Sequence, residues 1–337
     1  MPGTKRVTAM RGILGGAVLV GAAVAAFVLT GEPEPTRAQG PGVQWEELSI
    51  EHALDRARAE GKRVLVKFDA EWCSYCRTLD EEVLSTREGG ALTRDLIAVR
   101  FDFDAEENRP LVERYVVLGL PTTLVLTPDG TQVGRIMGYE DRATWVAELE
   151  QAAVAEDPVP ALRAAQEGAP GDPEAALRLG EALLVRGSPD EGEALLERVT
   201  WMAVDRDGEA DEAAAEALFL LGRYHHRVRR DPNTSRHLWR ELAARFPRSD
   251  WAGGAWWWYA KAEAELGRHE VGLEALRGRA AAHPENVVAV SQWGEYVATH
   301  ELDPERAAAL EALQRVLPAA SEHDRPELEE LAGRLAD

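Results

Sequence analysis

Two cysteines three residues apart, Cys73 and Cys76, are the only ones in the 337-residue chain. They stand in the run Trp72-Cys-Ser-Tyr-Cys76, directly after a strand-like stretch (Arg63-Val-Leu-Val-Lys-Phe68) and at the start of a helical pattern reaching Leu84. That place carries chemistry. The unpaired N–H groups and positive dipole end of a helix favour an anion, so the Cys73 thiol should have a lowered pKa and exist partly as thiolate. A thiolate attacks a disulfide of another molecule, and Cys76, about one turn on, resolves the mixed disulfide. The spacing therefore predicts a nucleophile at Cys73, a resolving thiol at Cys76, a redox disulfide Cys73–Cys76, and a first sulfur open to solvent. Half of a metal site, or an inert pair, is the competing use. No second cysteine pair exists and His52 is the one histidine of this region, so no metal and no cofactor is expected.

The elements around this motif alternate. Helix periodicity runs through Ile50–Ala59 and ends at Gly61, and Ile97–Phe103 reads as a strand. Leu111–Val117 belongs to a helix and Thr122–Leu126 to a strand. Pro128-Asp129-Gly130 is a turn, Val133–Met137 the returning strand, and Trp145–Ala152 a closing helix. Residues 44–155 should thus form a small α/β domain on a mixed sheet, because its last two strands make a hairpin.

Over roughly residues 44–153 the sequence resembles the thioredoxin superfamily. The resemblance is carried by Val64-Leu-Val-Lys-Phe-Asp-Ala-Glu-Trp-Cys-Ser-Tyr-Cys76 and by Gly119-Leu-Pro-Thr122. Within the superfamily it is most similar to the C-terminal thioredoxin-like domain of the DsbD thiol:disulfide interchange proteins, which share the Ala-x-Trp-Cys-x-x-Cys and Gly-Leu-Pro-Thr stretches and the Thr127-Pro-Asp-Gly130 hairpin. The resemblance implies a cis bond before Pro121, facing the cysteine pair. Backbone groups beside it would then pair with a substrate strand.

Two further positions modulate this expectation. Thioredoxin carries a buried Asp six residues before its first cysteine, where this chain has Lys67. A desolvated ammonium there would favour the thiolate and raise the reduction potential above thioredoxin's (about −270 mV), unless Lys67 snorkels to the surface. Asp80 matches a carboxylate of the DsbD-type domain and could take over proton transfer, or simply pair with Arg77 as an exposed helix acid. Trp72 and Tyr75 flank the sulfurs, and Tyr75 offers an aromatic contact to a partner.

Residues 156–171 hold Pro158, Pro160, Pro170 and Gly171 and suggest a hinge or partial helix. From 172 to 337 everything reads as helical. Small residues recur at Gly180, Gly222, Ala260 and Gly294, followed by Pro247, Pro284 and Pro318 after the last three. This resembles the tetratricopeptide (TPR) repeat, an all-α helical solenoid whose period is about 34 residues. The longer first two spacings call for expanded loops around Asp205–Ala210 and Arg229–Thr234. In that frame Trp256 packs between helices. Phe219, Arg223, Trp257 and Lys261 fall on the groove face and are candidates for holding a peptide or its carboxylate, packing between repeats being the alternative. His225 and His226 diverge by about 100° on a helix and read as an exposed pair rather than ligands of one ion.

At the other end, residues 1–11 are basic (Lys5, Arg6, Arg11), and Gly12–Thr30 is an uncharged apolar run of about 28 Å as a helix. The linker 31–43 is rich in Pro, Gly and charge. The charge asymmetry predicts a transmembrane anchor with the folded part outside the inner membrane, in the periplasm; a cleaved signal sequence is the alternative. Net charge is −21, from 38 basic and 59 acidic residues, which argues against nucleic acid. The expected molecule is a membrane-tethered thiol–disulfide oxidoreductase, its repeats recruiting a protein partner. Protein thiols and a membrane electron donor would be its redox partners; the direction of electron flow is open, reduction being the one the DsbD resemblance implies. The rival is a helical adaptor whose α/β domain is only a redox-gated binding module.

Overall fold

The computed structural model describes residues 41–202, 209–249, 251–321 and 324–336. The expected basic terminus, the anchor at 12–30 and most of the linker lie outside the described residues. Among the described residues no helix is long and apolar enough to cross a membrane.

Four strands form one sheet in the order β2-β1-β3-β4: β1 (Arg63–Asp69), β2 (Leu96–Asp102), β3 (Thr122–Leu126) and β4 (Gln132–Met137). β1 pairs parallel with β2 and antiparallel with β3, and β3 and β4 form the hairpin. Strand alternation sorts β1. Val64, Val66 and Phe68 join a core with α1 (Ile50–Glu60) and α4 (Arg109–Arg114). Leu65 faces the other layer, where α2 (Ser74–Leu79) and α5 (Arg142–Val154) contribute Leu79, Trp145 and Leu149. Side-chain caps set the helix starts: Ser49 accepts from the His52 N–H for α1, and Asp141 from the Thr144 N–H for α5.

Two local features differ from the sequence reading. The helix expected from Cys73 to Leu84 is α2 followed by a π-helical turn over Asp80–Leu84. A short helix not anticipated from Gly89-Gly90, α3 (Arg87–Leu92), comes next, capped by the Thr86 hydroxyl. The stretch 156–171 carries α6 (Val159–Gly168), whose Val159 and Leu162 pack into the helical core. Its prolines sit before or within the first turn, where a missing N–H is harmless.

Beyond α6 come paired helices: α7 (Pro173–Val185) with α8 (Pro189–Trp201), α9 (Glu209–Arg223) with α10 (Pro232–Arg245), α11 (Ala252–Glu265) with α12 (His269–Ala282), and α13 (Val287–Thr299) with α14 (Asp303–Val316). α15 (Arg325–Ala336) closes the row. Within each pair the connecting loop holds one left-handed residue: Gly187, Arg230, Gly267 and Glu301. It falls seven positions after Gly180, Ala260 and Gly294, but eight after Gly222. The extra residue is absorbed by a π-helical turn over Tyr224–Val228, not by the longer loop expected at Arg229–Thr234. Most of the other loop expected to be long, Asp205–Ala210, lies outside the described residues.

Candidate active site

β1 ends at Asp69, and the chain turns through Ala70, Glu71 and Trp72 into α2. Cys73 occupies the cap position of α2, and its sulfur accepts the Cys76 N–H at 3.1 Å. Cys73 and Cys76 are joined in a disulfide. The expectation of an open first sulfur is corrected: Cys73 is 5 % exposed, because Ala70, Phe103 and Leu120 pack against the pair. The bordering aromatics are the exposed parts, Trp72 at 57 % and Tyr75 at 42 %. The Trp72 indole N–H donates to Asp104.

The Leu120–Pro121 peptide is cis. The surrounding carbonyls are occupied. Leu118 O accepts the Arg223 guanidinium at 2.8 Å, Gly119 O the Thr122 hydroxyl at 2.7 Å, and Pro121 O the Gly138 N–H at 2.7 Å. Leu120, packed against the disulfide, has no backbone hydrogen bond among the described residues.

Lys67 does not snorkel: its side chain is fully buried. Nor is its ammonium uncompensated. Nζ lies 2.5 Å from Asp80 and 3.0 Å from Asp69. Asp80 is therefore the partner of Lys67 and not of Arg77, which donates to Glu71 O instead. Asp69 was missed from sequence although a visible signal existed: two residues beyond Lys67 on a strand, it must share its face.

The helical region reaches this site. Arg227, on the π-helical turn after α9, places its guanidinium over the rings of Trp72 (5.8 Å), Phe103 (5.4 Å) and Trp258 (5.3 Å). Arg223 stacks on Trp258 at 4.0 Å and Lys261 lies 5.4 Å from the same ring. Burial pushes all three cations down from their ordinary values, and Arg227 adds repulsion to both its neighbours. No sequence signal linked Arg227 or Trp258 to the cysteines.

The four groove candidates separate. Phe219 is corrected to a packing residue, wedged against Trp239 and Trp251 at 5.5 and 4.9 Å. Arg223 is corrected to a clasp on the Leu118 carbonyl. Trp257 lines a cleft shared with Tyr75, and Lys261 sits over the Trp257 ring at 5.7 Å. His225 and His226 are not an exposed pair. They face Glu193 (2.9 Å) and Glu265 (3.1 Å), and no cluster able to hold a metal occurs among the described residues.

Comparison with known proteins places the α/β part. Residues 50–153 match the family model of the thioredoxin-like domain. The thiol:disulfide interchange protein DsbD of Pseudomonas fluorescens is 34 % identical over 85 residues, 25 % of this chain and 15 % of that protein. DsbD 1 of Pseudomonas aeruginosa is 32 % identical over 154 residues, 39 % of this chain and 26 % of that protein. The chain thus spans about a quarter or less of these relatives. Among solved structures, a thioredoxin from Thermus thermophilus is 31 % identical, covering 40 % of this chain and 95 % of its own, with a TM-score of 0.31. Residues 50–153 are a thioredoxin-like domain of the disulfide oxidoreductase type, with a CxxC pair at Cys73 and Cys76, and an all-helical region comes after it.

Proposed function

We propose that the chain is a membrane-tethered, extracytoplasmic thiol–disulfide oxidoreductase that passes electrons by dithiol–disulfide exchange, with TPR-type helix pairs recruiting its protein partner. The carrying observation is the cystine at the start of α2, lying against Leu120, whose backbone is free beside the cis proline.

In the reducing direction, a donor thiolate attacks Cys73 Sγ and the Cys73–Cys76 bond breaks, leaving a Cys76 thiolate. A second donor thiol attacks the mixed disulfide. The donor leaves as a disulfide, and the pair has gained two electrons and two protons. The Cys73 thiolate then attacks a substrate disulfide, the first substrate sulfur leaves as a thiol, and Cys76 displaces the second, restoring the cystine. Cys73 is the nucleophile and Cys76 the resolving residue. The Leu120 backbone, fixed beside the cis Pro121, holds the substrate strand by backbone pairing. The helix dipole stabilises the Cys73 thiolate, and the Cys76 N–H that now points at Sγ is a ready donor to it. The apolar run at 12–30 supplies the tether and the outward placement.

Replacing Cys76 by Ser removes the resolving step. Expressed in the full chain, Cys76→Ser should accumulate mixed disulfides through Cys73 with periplasmic proteins, read on non-reducing gels and identified by mass spectrometry. Cys73→Ser should trap none. If Cys73→Ser leaves partner capture and cellular phenotype as in the wild type, the adaptor reading replaces this one.

A further inference from the structure

Tyr75, between the two cysteines, is a ridge shared by two cavities. On one side, about 680 Å³ is bounded by Leu120 and the segment Gly138–Asp141. On the other, about 720 Å³ is bounded by Trp257 and Trp258 of α11, Ser291, Gln292 and Glu295 of α13, and Glu327, Leu328 and Leu331 of α15. Tyr75 is the one residue common to both linings; the first is built from the thioredoxin-like domain and the second mostly from the helical region, and together, on either side of Tyr75, they make up the trough. Its walls come from the cis-proline loop at one end and the last helix at the other.

Charge selects the occupant. Of the cations nearby, Arg223 is spent on Leu118 O, and Arg227 is stacked among three rings. Lys261 lies against the Trp257 and Trp258 rings with Glu265 and Glu295 as its acidic neighbours. Glu295 pairs with Arg334, and Asp141 caps α5. Glu140 at one end and Glu327 at the other have no ion-pair partner among the described residues. The Tyr75 phenol is pushed up first by burial and then by the carboxylates of Glu327 and Asp324. The net charge of the whole chain, −21, has the same sign.

We infer that this trough binds an extended polypeptide segment of the redox partner, apolar side chains on Trp257, Leu328 and Leu331 and a basic side chain against Glu327. The inference rests on the oxidoreductase reading and names its substrate class: disulfides flanked by apolar and basic residues.

The test uses the full-length, reduced protein and two peptides, each carrying one cysteine as a mixed disulfide with thionitrobenzoate. They differ only in having Lys or Glu beside an apolar flank, and the free cysteine–thionitrobenzoate disulfide serves as the unflanked control. Release of the chromophore reports attack by Cys73. The Lys peptide should react with kcat/KM about tenfold above the Glu peptide, and 0.5 M salt should erase most of the difference (Debye length about 4–5 Å). Glu327→Lys, on an exposed position, should reverse the preference and leave the control unchanged; Glu140→Lys should weaken it. Equal rates for both peptides, or a preference that survives Glu327→Lys, overturn the trough while leaving the oxidoreductase standing. No chromophore release from any of the three overturns both.

Discussion

At the scale of single residues, Lys67 has the most consequence. A lysine on a central strand is costly to desolvate, and here two carboxylates offset that cost. An ammonium held between Asp69 and Asp80 does not offer its full field to the sulfurs, so Lys67 is first a structural cation. Lys67→Met should leave the two acids facing each other and lower stability by about 3 kcal/mol, measured by urea unfolding of the oxidised protein. Adding Asp80→Leu should recover much of the loss, because a pair replaced whole costs less than a pair broken. A double variant no more stable than the single one would show that Asp80 is not the partner that matters.

At the scale of elements, small residues decide how closely helices approach. A Cβ on Gly192 of α8 would stand 2.2 Å from the Leu184 nitrogen on α7, so these helices touch backbone to backbone. Gly278 on α12 has nothing within 4 Å of the same added atom. Alanine therefore has opposite effects at the two sites. Gly192→Ala should destabilise by about 2–3 kcal/mol through overpacking. Gly278→Ala should stabilise by up to about 1 kcal/mol through helix propensity. Thermal unfolding of the two variants side by side reads the difference in sign, and a shared sign would refute the packing argument.

At the scale of the molecule, arginines clasp carbonyls across the two regions. Arg223 holds Leu118 O, Arg109 holds the carbonyls of Arg227 and Val228, and Arg186 holds Gln132 O. A hydrogen bond from a charged donor contributes about 1.5–3 kcal/mol. Removing Arg109 and Arg223 together should then shift the docked equilibrium at least about tenfold toward opening. Two measurements check this: faster hydrogen exchange at the Arg229 and Asp231 amides, which are hydrogen-bonded next to the carbonyls that Arg109 holds, and faster reduction of the buried cystine by dithiothreitol. Unchanged rates of both would mean the helical region is not what limits access to Cys73.

Much of this was legible without coordinates because it depends on neighbours in the chain. Strand alternation, the cysteine pair at a helix start, the Pro-Asp-Gly turn and the small residues of the helix pairs are local patterns, and local patterns obey fixed periods of 2 and 3.6 residues. The Lys67–Asp69 contact belonged to the same class and could have been read. What only the tertiary structure decided is which surfaces meet. Arg223 reaches Leu118 across 105 positions, Arg227 covers Trp72, and Tyr75 faces α15. Those contacts depend on the summed geometry of every intervening helix, where a single inserted residue such as that in the π-helical turn at Tyr224–Val228 rotates all the later helices. No periodicity in the chain records that sum, so the clasp on Leu118 and the trough at Tyr75 emerge only when the two regions are packed together, while the burial of Cys73 comes from Ala70, Phe103 and Leu120 brought together within the first.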